Sequence, residues 1–119
     1  MYYCRKCPDA VARIHGGADA PQLSGCVQFY QEKRCVLIIA KISGLPKESA
    51  AGFFGFHIHQ GERCSGTDFS ETGSHYTLSD QVHPKHAGDL PPLLSCRGNA
   101  YLSVKTARFS ANEIGRAHV

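Results

Sequence analysis

The chain has 119 residues, the length of one ordinary domain, which is enough to bury a hydrophobic core without obligatory cross-links. Charged residues make up 19% of the chain, and thirteen Lys and Arg against ten Asp and Glu give a net charge of +3. This small excess forms no basic block with interleaved aromatic residues, so we expect no nucleic-acid partner. No apolar run approaches the about 18 residues of a transmembrane helix, so we expect no membrane partner either.

The first residues predict a cytoplasmic protein with a short extension ahead of its domain. The opening "MYYCRKCPDAVARIHGG" contains no apolar h-region and no cleavage site of a secretory signal. We expect residues 1–9 to be a disordered extension and residues 10–119 to form the domain. Cys4 and Cys7 form a C-x-x-C pair beside two basic residues, a setting that suits reactive or metal-binding thiolates. The alternative for this pair is a frayed terminus without a role.

The hydrophobic pattern favours strands over helices. Val27 and Phe29 alternate with Gln28 and Tyr30, as in a strand with one buried face. The run "RCVLIIAKI" is almost continuously apolar and rich in β-branched residues, which is typical of a central strand of a sandwich. The predicted strands, in chain order, are residues 10–15, 25–31, 34–42, 53–59 and 100–109.

A long polar segment separates the last two predicted strands. Between His59 and Asn99 the chain is rich in Gly, Ser, Thr, Pro, Asp and His and has no sustained apolar periodicity. Prolines oppose a helix there. Loops of this length are uncommon in compact domains unless they are functional. The sequence therefore predicts an all-β domain with one very long functional loop.

Histidines concentrate in the segment "GFHIHQGERCSGTDFSETGSHYTLSDQVHPKHAGDL", residues 55–90. It holds five of the seven histidines: His57, His59, His75, His83 and His86. His57 and His59 are two residues apart on a predicted strand, so both side chains point to the same face. Imidazole suits zinc and copper, and a carboxylate can complete a tetrahedral zinc site. The alternative is a polar loop whose histidines cluster without a metal.

Two sets of ligands follow from these residue types. A closed zinc site of the structural type would use His75, His83, His86 and Asp89. A copper site at His57, His59 and His75 would lack a fourth protein ligand within the segment.

The motifs resemble those of the copper/zinc superoxide dismutase family. "GFHIHQ" resembles its copper-ligand strand, "GSHY" its bridging-histidine segment and "VHPKHAGDL" its remaining zinc ligands. "GERCSG" is similar to the segment with the family's disulfide cysteine, and "NEIGR" to the start of its G-R segment. The resemblance runs from about Ala10 to Arg116. It implies a Greek-key β-sandwich, or flattened barrel, that binds copper and zinc.

The resemblance also implies a reaction and a role for each ligand. His75 would be the catalytic residue, because it would bridge the two metals as an imidazolate and carry a proton. Copper, held by His57, His59 and His75, would oxidise one superoxide to dioxygen and reduce the next to hydrogen peroxide. Zinc, held by His75 and the later ligands His83, His86 and Asp89, would hold the loop without redox change.

The sequence departs from the family pattern after "EIGRAHV". The family's fourth copper histidine, its second long loop and its final strand with the second disulfide cysteine are not present in this sequence. We therefore expect a sandwich that lacks its last strands, and a Cys64 without its usual partner. His118, two residues past Arg116, is a speculative copper ligand; a solvent-facing terminus is the alternative. An open strand edge invites pairing with a second copy, so a homo-oligomer is possible.

The sequence predicts the first of three functions, and the other two are kept as alternatives. The first is a superoxide dismutase with superoxide as its small-molecule substrate. The second is a non-enzymatic domain that binds zinc and copper with an incomplete copper site. The third is a fragment without a biochemical role.

Overall fold

The computed structural model describes residues 7–47, 52–61, 73–77 and 81–114. It has six strands in chain order: β1 (Ala10–His15), β2 (Ser24–Gln31), β3 (Val36–Ser43), β4 (Phe53–Phe54), β5 (Leu93–Leu94) and β6 (Ala100–Thr106). These ranges contain no helix, and within them nothing is long and apolar enough to cross a membrane as a helix. The predicted all-β class is confirmed.

Two antiparallel sheets make up the described fold. The larger sheet has the order β1-β2-β3-β6, and the smaller one pairs β4 with β5. The chain thus leaves the larger sheet after β3, forms the smaller sheet, and returns to pair β6 with β3. Such a long return connection between antiparallel strands is a feature of Greek-key sandwiches. The predicted β-sandwich is confirmed, and its crossing connections carry the segment rich in histidine.

The core lies between the two sheets. Val27 pairs with Ala40 and Phe29 with Ile38, which places these side chains on one face of the larger sheet. Val27, Ile38 and Ala40 are 0% exposed. They pack in the same cluster as Phe56, Ile58, Leu90 and Leu93 from the opposite side. Each large buried aliphatic or aromatic side chain stabilises the fold by about 1.5–3 kcal/mol, so this layer fixes the sheets against each other.

Some predicted strand boundaries are wrong. β3 begins two residues later than expected, and β6 ends at Thr106 rather than at residue 109. The predicted strand 53–59 is regular only at Phe53–Phe54, because the following residues pair singly with the long loop. β5 was missed, since two leucines after two prolines are too short to show an alternating pattern.

Hydrogen bonding to β2 begins at the residue just before β1. The Asp9 N–H donates to the carbonyl of Phe29 at 2.8 Å, and the Asp9 carboxylate accepts from the Gln31 N–H at 2.7 Å. The boundary at residue 9 stays a prediction. The predictions for Cys4, Cys64 and His118 fall on residues outside the described ranges.

Candidate metal centre

Backbone pairing brings three distant segments together at the histidines. His57 bridges to Asp89 and His59 to His75. Between them, the Ile58 N–H donates to the carbonyl of Gly88 at 2.9 Å, and the Ile58 carbonyl accepts from Tyr76. Ile58 is 0% exposed, so its two neighbouring histidines lie on the side away from the core. The predicted common face of His57 and His59 therefore becomes one wall of a polar cluster.

Gly88 makes the close approach of these segments possible. A Cβ at this position would lie 2.5 Å from the Ile58 carbonyl oxygen and 3.0 Å from Tyr76 Cβ. No larger residue fits there without moving the backbone. The sequence analysis missed this role. The available signal is a glycine directly before the final predicted ligand, Asp89.

The Asp89 carboxylate is the centre of the cluster. Its side chain is 3% exposed, and its Oδ1 lies 2.8 Å from His75 Nδ1. Its Oδ2 lies 3.3 Å from His83 Nδ1 and 3.0 Å from His86 Nδ1, and accepts from the His86 N–H at 2.9 Å. One buried carboxylate therefore faces three imidazole rings, all through the same type of ring nitrogen.

The electrostatics favour the protonation states that metal ligands need. Burial alone would raise the pKa of Asp89, but hydrogen bonds from the His86 backbone and the His75 ring outweigh it and lower that pKa. Burial, followed by the neighbouring His75, lowers the pKa of His57. Asp89 is thus ionised and His57 neutral near pH 7, as coordination to a cation requires.

A second group of rings adjoins the first through His75. The His57 and His75 rings are stacked, with centroids 4.0 Å apart, and the His59 centroid lies 5.1 Å from that of His75. His59 Nδ1 lies 2.8 Å from the carbonyl oxygen of Gly73. Because a carbonyl only accepts, this contact favours the tautomer of the neutral His59 ring in which Nδ1 carries the proton and Nε2 the lone pair. The imidazoles of His57, His59 and His75 thus share one side of the cluster.

The donor atoms fit a metal ion. One ligand atom from each of four residues lies within 4.8 Å of all the others: His57, His75, His83 and Asp89. His86 Nδ1 is buried, and despite its 3.0 Å distance to Asp89 it makes no hydrogen bond with any described residue. A buried polar atom without a partner costs about 1–3 kcal/mol, and a cation would relieve that cost. Three imidazoles with a carboxylate are a donor set suited to zinc.

The two predicted sets of ligands are not separated from each other in the described geometry. His57 is predicted as a ligand of copper alone, and its ring nitrogen also lies within 4.8 Å of the donor atoms of His83 and Asp89. His59 and His86 border that group instead. The sequence did not reveal this, because the stacking of His57 on His75 arises only from the pairing of distant segments.

Comparisons with known proteins bear on the chain as a whole. A family model described as copper/zinc superoxide dismutase (SODC) matches residues 23–119. A curated relative, the extracellular superoxide dismutase (Cu-Zn) of Brugia pahangi, is 28% identical over 107 residues. That alignment covers 83% of this chain and 50% of the relative, so the chain spans about half the length of the curated relative it matches.

The name of this relative bears on the predicted location of the protein. That relative is named as an extracellular enzyme, which contradicts the cytoplasmic location expected from the first residues. The expectation is wrong because it rested only on the composition of the first residues, which does not by itself determine where a protein acts.

The match to the family model extends over more than half of the chain, and the histidine motifs that it spans converge in the fold. The chain belongs to the copper/zinc superoxide dismutase family.

Proposed function

We propose that this chain acts as a superoxide dismutase, converting superoxide to dioxygen and hydrogen peroxide at a copper site that His75 joins to a zinc site. The observation that carries the proposal is the position of the His75 ring. Its Nδ1 lies 2.8 Å from Asp89 Oδ1, while the ring stacks 4.0 Å from His57. One imidazole therefore contacts both groups of ligands. Membership of the family supports the same chemistry.

The zinc ligands in this proposal surround Asp89: His75, His83, His86 and Asp89 itself. Asp89 provides the negative charge, and the buried His86 Nδ1 provides a lone pair that meets no other partner among the described residues. Zinc has no redox chemistry and would fix the loop, because binding to the folded state alone stabilises that state.

The copper ligands in this proposal are His57, His59 and His75, with His118 as a speculative fourth. Copper supplies one-electron redox chemistry when it is bound. The Gly73 carbonyl holds the His59 ring in the tautomer whose Nε2 can bind a metal. Burial keeps His57 neutral and ready to coordinate.

Proton supply is the second task of these residues. Two superoxide ions and two protons give one dioxygen and one hydrogen peroxide. His75 Nε2 would deliver one of the two protons and recover it from water, and water would supply the second; Nδ1 of His75 would stay directed at the zinc ligands. The net charge of +3 provides a weak field that favours the approach of an anion.

The location of this reaction follows from the relative. We propose a secreted protein, because the curated relative is an extracellular enzyme. The described residues contain four free cysteines and no disulfide between them: Cys7, Cys26, Cys35 and Cys96.

The proposal is tested by metal loading and superoxide decay. The protein is loaded with zinc and copper, free metal is removed, and decay is followed by stopped-flow absorbance. Wild type should exceed an equal concentration of free copper, and His75→Gln should fall to the level of free copper. The control His15→Gln, an exposed histidine on β1, should match wild type. Wild-type decay no faster than that of free copper would refute the proposed activity.

A second candidate is a metal-binding domain without turnover. Among the residues that the structure describes, only His57, His59 and His75 line the proposed copper side. A copper ion held by three imidazoles has one protein ligand fewer than a four-ligand site, so it is bound more weakly and exchanges more readily. Tight zinc with weak, exchangeable copper and no superoxide decay would favour this alternative.

A further inference from the structure

Arg108 makes an unusual set of contacts with the loop that carries the proposed zinc ligands. Its Nη1 lies 2.7 Å from the carbonyl oxygen of Pro84 and 3.1 Å from that of His86. The carbonyl oxygen of Asp89 lies 3.5 Å away. Three carbonyls of residues 84–89 thus converge on one nitrogen. Two of them belong to proposed ligands, and the third follows His83.

The chemistry of this contact favours a cation. Carbonyl oxygens that point at one place repel each other unless a donor lies between them. Nη1 carries two N–H groups, which serve Pro84 and His86, and the longer contact to Asp89 is the weakest of the three. Hydrogen bonds from a charged donor are stronger than those between neutral groups. The guanidinium therefore holds this loop in its curved path.

The other end of Arg108 is anchored to the sandwich. Its backbone N–H donates to Thr106 Oγ1, at the last residue of β6, at 3.2 Å. The next residue, Phe109, is 5% exposed and packs edge-on against Tyr76, with centroids 6.4 Å apart. Tyr76 directly follows His75. The residues just after β6 thus contact both segments that carry ligands, one through Phe109 and the other through Arg108.

We propose that Arg108 is a positioning residue of the zinc site: it holds the carbonyls of residues 84–89 so that His83, His86 and Asp89 face one ion before that ion binds. This inference rests on the zinc site of the proposed function. Arg108 acts through the loop, because its side-chain hydrogen bonds to the described residues all go to backbone carbonyls. Outer partners that orient metal ligands typically change metal affinity by about 10- to 100-fold when they are removed.

The test compares Arg108→Met with Arg34→Met. Arg34 is an exposed arginine that makes no hydrogen bond or ion pair with the described part of the chain, so its loss controls for charge. Zinc affinity is measured by competition with a chromophoric chelator, and folding of the metal-free proteins by circular dichroism. Arg108→Met should bind zinc about tenfold more weakly, and Arg34→Met should equal wild type. An affinity of Arg108→Met within threefold of the control would overturn the inference.

A conservative variant separates positioning from general stabilisation. All three contacts come from one nitrogen, so the ammonium of Arg108→Lys, with three N–H groups, should restore zinc affinity to within threefold of wild type. The neutral amide of Arg108→Gln should leave it about tenfold weaker. Equal affinities of the Lys and Gln variants would overturn the inference, even where Arg108→Met does not fold. Absence of zinc binding by wild type would instead refute the proposed function itself.

Discussion

Replacing Asp89 with Asn perturbs the centre of the proposed zinc site with almost no change in volume. The wild-type carboxylate accepts on both sides, from the His75 ring at one oxygen and from the His86 N–H at the other. An amide has one acceptor oxygen and one donor group, so it can serve only one of these sides as before. It also removes the negative charge that faces three imidazoles.

The magnitude follows from these contacts. Hydrogen bonds to a charged group contribute about 1.5–3 kcal/mol, and removal of a buried charge offsets part of their loss. We expect metal-free Asp89→Asn to be about 1–2 kcal/mol less stable than wild type. Loss of the anionic ligand should also weaken the free energy of zinc binding by about 2–3 kcal/mol. This corresponds to an affinity lower by about 30- to 150-fold.

The assay measures zinc affinity by chelator competition and stability by urea unfolding. Asp19→Asn is the matched control, because Asp19 is exposed and has no partner among the described residues. It should change neither quantity. Zinc binding by Asp89→Asn within threefold of wild type would refute the reasoning, because the carboxylate would then not be a ligand.

Three further predictions concern the neighbourhood of the site and a separate cysteine. Gly88→Ala should lower the urea midpoint and weaken zinc binding, because its Cβ would lie 2.5 Å from the Ile58 carbonyl oxygen; unchanged values would contradict the close approach. Folding lowers the pKa of Asp89, so the ionised carboxylate stabilises the fold above about pH 4, and this contribution is lost as pH falls through the folded pKa. Metal-free wild type should therefore lose more stability on acidification, measured by urea unfolding, than Asp89→Asn. A hydrogen bond to Glu32, then burial, raises the pKa of Cys35, so Glu32→Gln should speed alkylation of Cys35 by iodoacetamide at pH 8, measured by peptide mass spectrometry; an equal or slower rate would contradict the contact.

The sequence predicted the larger sheet well because its signal is local. β1 matches its predicted bounds, and β2 begins one residue earlier than predicted. Two local patterns follow directly from which faces of the sheet are buried. One is the alternation of Val27 and Phe29 with polar neighbours, and the other is the apolar run of β3. β5 has two residues and no such pattern, so only its pairing with β4 in the fold reveals it.

The candidate site was predictable in composition and less so in arrangement. Residue types placed His57, His59, His75, His83, His86 and Asp89 in one cluster, and the structure brings all six together. The stacking of His57 on His75 depends on long-range backbone pairing, which spacing does not encode. Arg108 lies beyond the histidine segment, so no local pattern connected it with the loop.

The central claim is that His75 serves two metal ions at once. Crystals of the protein loaded with zinc and copper, measured at the absorption edges of both elements, test it most directly by anomalous scattering. The account predicts one zinc peak and one copper peak, each about 2.0–2.1 Å from a different nitrogen of the His75 ring. A His75 ring that contacts one metal only, or neither, would contradict it.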